Sequence, residues 1–107
     1  MQKLSSRSLA VRKAIENRKS FDTYGALRAR YYGPGSCTAS AGLLRGPDND
    51  TFWDRKHEIT YVAFSYNTPI FWWYEDGTSH RIAQKFSVTT SRHKGACPRG
   101  TNEGGLA

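Results

Sequence analysis

The segment Thr89-Thr90-Ser91-Arg92-His93-Lys94 holds the densest set of side chains able to do chemistry. Three hydroxyls, a guanidinium, an imidazole and an ammonium at the end of a strand could bind phosphate or another anion. The same hydroxyls could instead end the strand and satisfy nearby backbone groups. Arg92 and His93 are therefore candidate anion ligands, with the local structural role as the favoured alternative.

The sequence gives less support to a metal site or a catalytic site than to an anion site. The possible metal ligands are Cys37, His57, His80, His93 and Cys97. Only His93 and Cys97 are close in sequence, whereas structural zinc normally uses two closely spaced pairs. Asp54 and His57 are three residues apart, but no nucleophile elbow, zinc-protease or phosphate-loop motif accompanies them. We expect no metal, no cofactor and no enzymatic activity, and a small enzyme is the last alternative.

The formal net charge of +7 is concentrated near the start of the chain. Residues 1–31 contain eight Lys or Arg against Glu16 and Asp22, while the rest of the chain is nearly neutral. Such a region attracts phosphate backbones, anionic proteins or anionic lipid. The candidate phosphate ligands are Arg7, Arg12, Lys13, Arg18, Lys19, Arg28 and Arg30. Alternatively, the cations only coat a surface helix, which is the usual role of a charge run.

The elements that carry these cations follow from local patterns. Ser5–Ser20 is predicted as a helix with serine caps and a modest apolar seam. Ala26–Tyr32 alternates apolar and basic residues and is predicted as a strand with its two arginines on the open face. Beyond a Gly-Pro-Gly break, Ser36–Arg45 could form a short strand, and Gly46–Asp50 is predicted as a loop.

The stretch from Glu58 to His93 is rich in aromatic and β-branched residues and is predicted as the sheet. Glu58–Tyr66 is apolar on both faces, which is typical of a central strand covered on both sides. Tyr66–Pro69 is predicted as a tight connection. Phe86 and Val88 alternate with polar residues and predict a half-exposed strand. Together these segments indicate an antiparallel meander.

Asp76-Gly77 is predicted as a two-residue type I′ turn, which would place Trp72 opposite Arg81. The neighbouring side chains are of the types that dominate protein-binding hot spots. The candidate anchors for a protein partner are Trp72, Trp73, Tyr74 and Arg81.

The words VAFSYNTPIFWW and FSVTTSRHKG, which flank the Asp-Gly pair, resemble an uncharacterised domain of small proteins from actinobacterial phages and haloarchaeal mobile elements. The resemblance covers about the last half of the chain, with a fainter match at AIENRKSF. It implies a phage or mobile-element setting and assigns no activity.

We expect an α+β fold in which an N-terminal helix packs on a twisted antiparallel sheet of three to five strands. Residues 1–94 would form the single domain and residues 95–107 a mobile tail. No apolar run is long enough to span a membrane, and Cys37 and Cys97 are expected to be unbridged, with Cys97 exposed. The predicted function is that of an accessory protein in the host cytoplasm that binds a host macromolecule. A host protein is the preferred partner and nucleic acid is the alternative.

Overall fold

The computed structural model describes residues 3–4, 9–23, 26–82 and 97. Within them, one sheet of six strands has the order β1-β2-β3-β4-β5-β6. Strands β1 and β2 are parallel, and each later neighbouring pair is antiparallel. The elements are β1 Lys3–Leu4, α1 Leu9–Glu16, β2 Phe21–Thr23, β3 Leu27–Tyr31, α2 Gly46–Asp54, a 3-10 turn Lys56–Glu58, β4 Ile59–Ser65, β5 Thr68–Tyr74 and β6 Ser79–Arg81.

The sheet is covered on both faces. Trp72 and Trp73 are consecutive in β5, so their side chains point to opposite faces. The Trp72 ring packs edge-on against Phe52 of α2 with centroids 5.2 Å apart. On the other face, Trp73 Nε1 donates a hydrogen bond to the Ile15 carbonyl of α1 at 2.8 Å. All seven residues of β4 are buried between these layers, which confirms the predicted central strand and the α+β fold.

Helix α1 ends in a backbone motif that turns the chain back toward the sheet. Val11 and Ile15 are buried and form its core face. The Lys19 N–H donates to the Ala14 carbonyl at 2.8 Å, and the Arg18 N–H donates to the Ile15 carbonyl at 3.2 Å. Arg18 has φ +56°, the left-handed conformation that this C-terminal motif requires. The predicted N-terminal helix is thus confirmed over α1.

The tight connection predicted at Tyr66–Pro69 is confirmed, whereas the turn predicted at Asp76-Gly77 is longer than expected. Tyr66 and Asn67 join β4 to β5 with φ of +52° and +66°, which makes this the two-residue type I′ turn. Between β5 and β6, Tyr74 N–H donates to the Thr78 carbonyl at 2.8 Å. Three residues, Glu75, Asp76 and Gly77, lie between this pair and form the loop. Gly77 ends the loop with φ +89°.

The register predicted for the second hairpin is therefore wrong by one residue. Trp72 pairs with His80, and Phe71 pairs with Arg81. A three-residue loop that ends on a left-handed glycine also favours Asp-Gly, so the dipeptide alone does not define the loop length. The predicted contact between Trp72 and Arg81 is replaced by a ring contact between Trp72 and His80 at 4.9 Å.

The segment between β3 and β4 also differs from the prediction. Residues 36–45 form no strand, and the predicted loop at Gly46 begins helix α2. Pro47 occupies the start of this helix, where its missing N–H costs nothing, and Phe52 reaches the core. An ideal Cβ at Gly42 would lie 2.8 Å from Thr68 Cα, so the loop packs directly on the β4–β5 turn.

Some predictions fall on other parts of the chain. Those for the strand around Phe86 and for the polar segment that contains Arg92 and His93 lie outside the described residues, as does the tail predicted over 95–107 except for Cys97. Cys37 and Cys97 are both free thiols. Cys97 is buried, which corrects the expectation that it would be exposed.

Candidate functional site

A row of three aromatic residues runs across the sheet on the face that α1 covers. Trp73 in β5 pairs with Tyr61 in β4, and Tyr61 pairs with Tyr31 in β3. Directly paired residues share a face, so the three rings lie side by side. Tyr61 is fully buried, Trp73 is half-buried and Tyr31 is 52% exposed. We call this set the aromatic row.

The chain passes from α1 to β2 over the aromatic row through Arg18–Ser20, which we call the crossing segment. The guanidinium carbon of Arg18 lies 4.0 Å from the ring centroid of Trp73, a cation–π contact. The same indole donates through Nε1 to the Ile15 carbonyl. Trp73 therefore fixes the last turn of α1 and the first residue of the crossing segment together.

The next two residues of the crossing segment are hydrogen-bonded to the next two residues of the row, Lys19 to the Tyr61 side chain and Ser20 to the Tyr31 backbone. The Tyr61 hydroxyl donates to the Lys19 carbonyl at 2.8 Å, and the Tyr31 N–H donates to Ser20 Oγ at 2.7 Å. Burial raises the pKa of Tyr61, so its hydroxyl stays protonated as a donor at neutral pH. The crossing segment is thus held at each of its three residues.

This arrangement brings four of the predicted phosphate ligands to one face of the sheet. The side chains of Arg12, Lys13 and Lys19 are exposed, and Arg18 is half-buried against Trp73. Residues 9–20 contain these four cations and one acidic residue, Glu16. The surface formed by α1 and the crossing segment is therefore basic.

Arg28 and Arg30 lie on the opposite face and are engaged within the sheet. Arg30 Nη2 lies 2.8 Å from Asp22 Oδ1, and its Nη1 donates to two backbone carbonyls. Arg28 Nη2 donates to Asn67 Oδ1 at 2.7 Å. These two arginines are placed away from the cations of α1, so the six predicted basic ligands that the structure describes do not form one surface. The seventh, Arg7, lies outside the described residues.

The aromatic residues predicted as protein anchors are mostly inside the molecule. Trp72 and Tyr74 are buried, and Trp72 Nε1 donates to the Tyr74 hydroxyl at 3.0 Å. Trp73 lies under Arg18, and Arg81 is half-buried. A partner could not reach the two buried rings, so this part of the site prediction does not fit the structure. The cause is helix α2, which packs on this face through Phe52 and begins where the sequence predicted a loop.

The structure contains a buried polar pair that was not predicted from the sequence. His80 Nε2 lies 3.1 Å from Asp48 Oδ1, with side-chain exposures of 12% and 8%. The pair joins β6 to the first turn of α2, and the His80 ring lies against Trp72. The proline that precedes Asp48 is a helix-start signal, which could have placed this carboxylate on a helix.

A second polar group ties the β5–β6 turn to the 3-10 turn. Arg55 donates to both carboxylate oxygens of Glu58, at 3.0 and 3.2 Å, and to Asp76 at 3.0 Å. Its guanidinium carbon lies 3.8 Å from the ring centroid of Tyr74. Hydrogen bonding from Arg55 lowers the pKa of Glu58, and hydrogen bonds from Thr78, followed by Arg55, lower the pKa of Asp76. This group stabilises the fold.

The described residues meet neither the requirements of a metal site nor those of a membrane-spanning helix. Among them, no three His, Cys, Asp or Glu side chains are grouped so as to hold a metal ion. The exposed His57 side chain has its Nε2 3.9 Å from Glu58 Oε2. Within the same residues, none of the helices has the length and apolar character needed to cross a bilayer.

The structure defines a small α+β domain with a helix on each face of the sheet and an exposed basic surface as its candidate site. The chain belongs to DUF8033, a family of unknown function, whose sequence profile matches residues 9–103. The predicted membership of an uncharacterised family is confirmed at this level. No curated protein and no solved structure matches the chain.

Proposed function

We propose that the protein binds nucleic acid through the basic surface of α1 and the crossing segment. The observation that carries this proposal is a contrast in exposure. Arg12, Lys13 and Lys19 are exposed, whereas Trp72 and Tyr74, two of the four candidate protein anchors, are buried. The structure thus favours the polyanion over the partner preferred from the sequence.

The physical basis is the neutralisation of phosphates. Each phosphate contact made by Lys or Arg releases condensed counterions, so affinity depends steeply on salt. Flexible lysines such as Lys13 and Lys19 can follow a phosphate backbone without reading its sequence. Arg18 is held against Trp73 and contributes a positive charge at a fixed position.

The biological setting is also a proposal. The resemblance of the SYNTPI and SVTTSRH words to phage and mobile-element proteins supports an accessory role in such an element, acting in the host cytoplasm. Nucleic acid is abundant in that compartment, so a basic accessory protein would meet its ligand there.

A host protein is the second candidate partner. Leu43 and Tyr66 are 66% and 59% exposed. They come close together because the Leu43 N–H donates to Thr68 Oγ1 beside the turn that contains Tyr66. Tyrosine is enriched at protein-binding hot spots, so the exposed Tyr66 side chain at this end of the sheet would suit a protein contact.

The test is the salt dependence of binding to a short DNA duplex. Wild-type affinity should fall linearly on a log–log plot, with a slope of about −0.9 per phosphate contact. The double variant Lys13→Gln/Lys19→Gln should reduce the magnitude of this slope by about 1 to 2. Arg18 is left intact because its contact with Trp73 supports the fold.

The matched control is Arg45→Gln/Lys56→Gln, which removes the same charge at the two ends of α2. It should change the slope much less than the first double variant. Equal effects of the two double variants would place the binding outside the α1 surface. Wild-type protein that binds no duplex and no single strand at low salt would refute the proposal.

A further inference from the structure

The exposed end of the aromatic row has an uncovered ring surface. Tyr31 is 52% exposed, and its ring lies beside Gly33. A Cβ placed on Gly33 would lie 3.8 Å from Tyr31 Cε2 and 3.9 Å from its hydroxyl oxygen. Gly33 has φ +83°, a conformation that disfavours side chains, so this residue adds no side chain to the cover of the ring.

The backbone of Tyr31 is also held in position. Tyr31 is paired with Tyr61 in the sheet, and its N–H donates to Ser20 Oγ. An aromatic side chain has few rotatable bonds, so a fixed backbone leaves it little freedom to lose on binding. Lys19, immediately before Ser20, has an exposed side chain and is anchored through its carbonyl to the Tyr61 hydroxyl.

We propose that Tyr31 stacks on an unpaired base, so that the preferred ligand is a single-stranded nucleic acid whose backbone follows Lys19 and α1. This inference rests on the proposed function and specifies its ligand. A cationic track beside an exposed aromatic ring is the usual means of binding single strands, because each base has a flat face to stack. In a duplex those faces are covered by neighbouring base pairs, so Tyr31 has no equivalent contact to make.

The experiment compares two labelled oligomers of about 12 nucleotides, one of thymidine and one abasic, by fluorescence anisotropy. The abasic oligomer has the same phosphates and no bases. Wild-type protein should bind the thymidine oligomer more tightly. Tyr31→Ala should weaken that affinity by about fivefold to 150-fold and leave the abasic affinity unchanged. Tyr31→Phe and Tyr31→Trp should retain it, because both keep an aromatic face.

The control is Tyr66→Asn, which removes an exposed ring at the far end of β4, where asparagine suits the positive φ. It should leave both affinities unchanged. Melting temperatures and near-ultraviolet circular dichroism establish that each variant is folded.

Two failures can be told apart. If wild-type protein binds both oligomers equally and in a salt-dependent way, nucleic-acid binding stands and the role of Tyr31 is overturned. If it binds neither oligomer nor a duplex, the proposed function itself fails. A Tyr31→Trp variant that loses the affinity of the wild type would also overturn the stacking role.

Discussion

The guanidinium carbon of Arg18 lies 4.0 Å above the ring of Trp73. By residue type the two are predicted to bind different partners, the arginine phosphate and the tryptophan protein. The structure shows that the two side chains contact each other, and that the Trp73 indole N–H also donates a hydrogen bond to the Ile15 carbonyl at the end of α1. Residue type alone therefore does not separate a binding residue from one that joins a helix to a sheet.

Replacing Trp73 should measure this junction. Trp73→Phe removes the hydrogen bond to the Ile15 carbonyl and replaces the indole under Arg18 with a smaller ring. We expect a loss of about 1 to 2 kcal/mol in the free energy of unfolding, measured by urea denaturation. The control is Trp53→Phe, because Trp53 is exposed and donates to a neighbour on its own helix. It should cost less than about 0.5 kcal/mol. Equal losses of unfolding free energy in the two variants would contradict the role of Trp73 in joining α1 to the sheet.

Gly42 should be intolerant of any side chain. An ideal Cβ there would lie 2.8 Å from both Thr68 Cα and the Asn67 carbonyl oxygen, and φ is +56°. Gly42→Ala should therefore combine the cost of a left-handed alanine with overpacking, for a total loss of about 2 to 4 kcal/mol. Gly35→Ala is the matched control, because φ is +71° and nothing lies within 4 Å. It should show only the backbone cost of about 1 kcal/mol. Thermal or urea unfolding that gives the same loss for both variants would show that the loop does not pack on the turn.

The group around Arg55 predicts a loss of stability in acid. The pKa values of Glu58 and Asp76 are lowered in the folded protein. Their contribution is therefore present above the ordinary carboxyl values of about 4 and is lost as pH falls through the lowered values. Glu58→Gln should be less stable than the wild type at neutral pH, and the difference should shrink toward zero in acid.

The control for this pH dependence is Glu75→Gln, which replaces an exposed carboxyl beside Asp76 in the β5–β6 turn. Urea denaturation at a series of pH values should give Glu75→Gln an unfolding free energy close to that of the wild type at every pH. A Glu58→Gln difference that stays constant or grows as pH falls would show that the carboxylate form is not the stabilising one.

The sequence by itself determined the elements whose signal is local. Alternation over Ala26–Tyr32 predicted β3, and apolar residues on both faces of Glu58–Tyr66 predicted a central strand. The apolar seam of α1 predicted a helix that packs on the sheet. These patterns hold because burial of a strand or helix face requires an apolar residue at each repeat of its period, whatever the partner.

Only the tertiary structure decided which residues meet. The hairpin register depended on whether Glu75 belongs to the loop, and Asp-Gly is compatible with both lengths. Helix α2 formed where the glycine, proline and aspartates predicted a loop, because Phe52 gains a place against Trp72. Exposure of Tyr31 and burial of Tyr74 likewise depend on which face each helix covers. Such contacts join positions far apart in the chain, so local composition does not specify them.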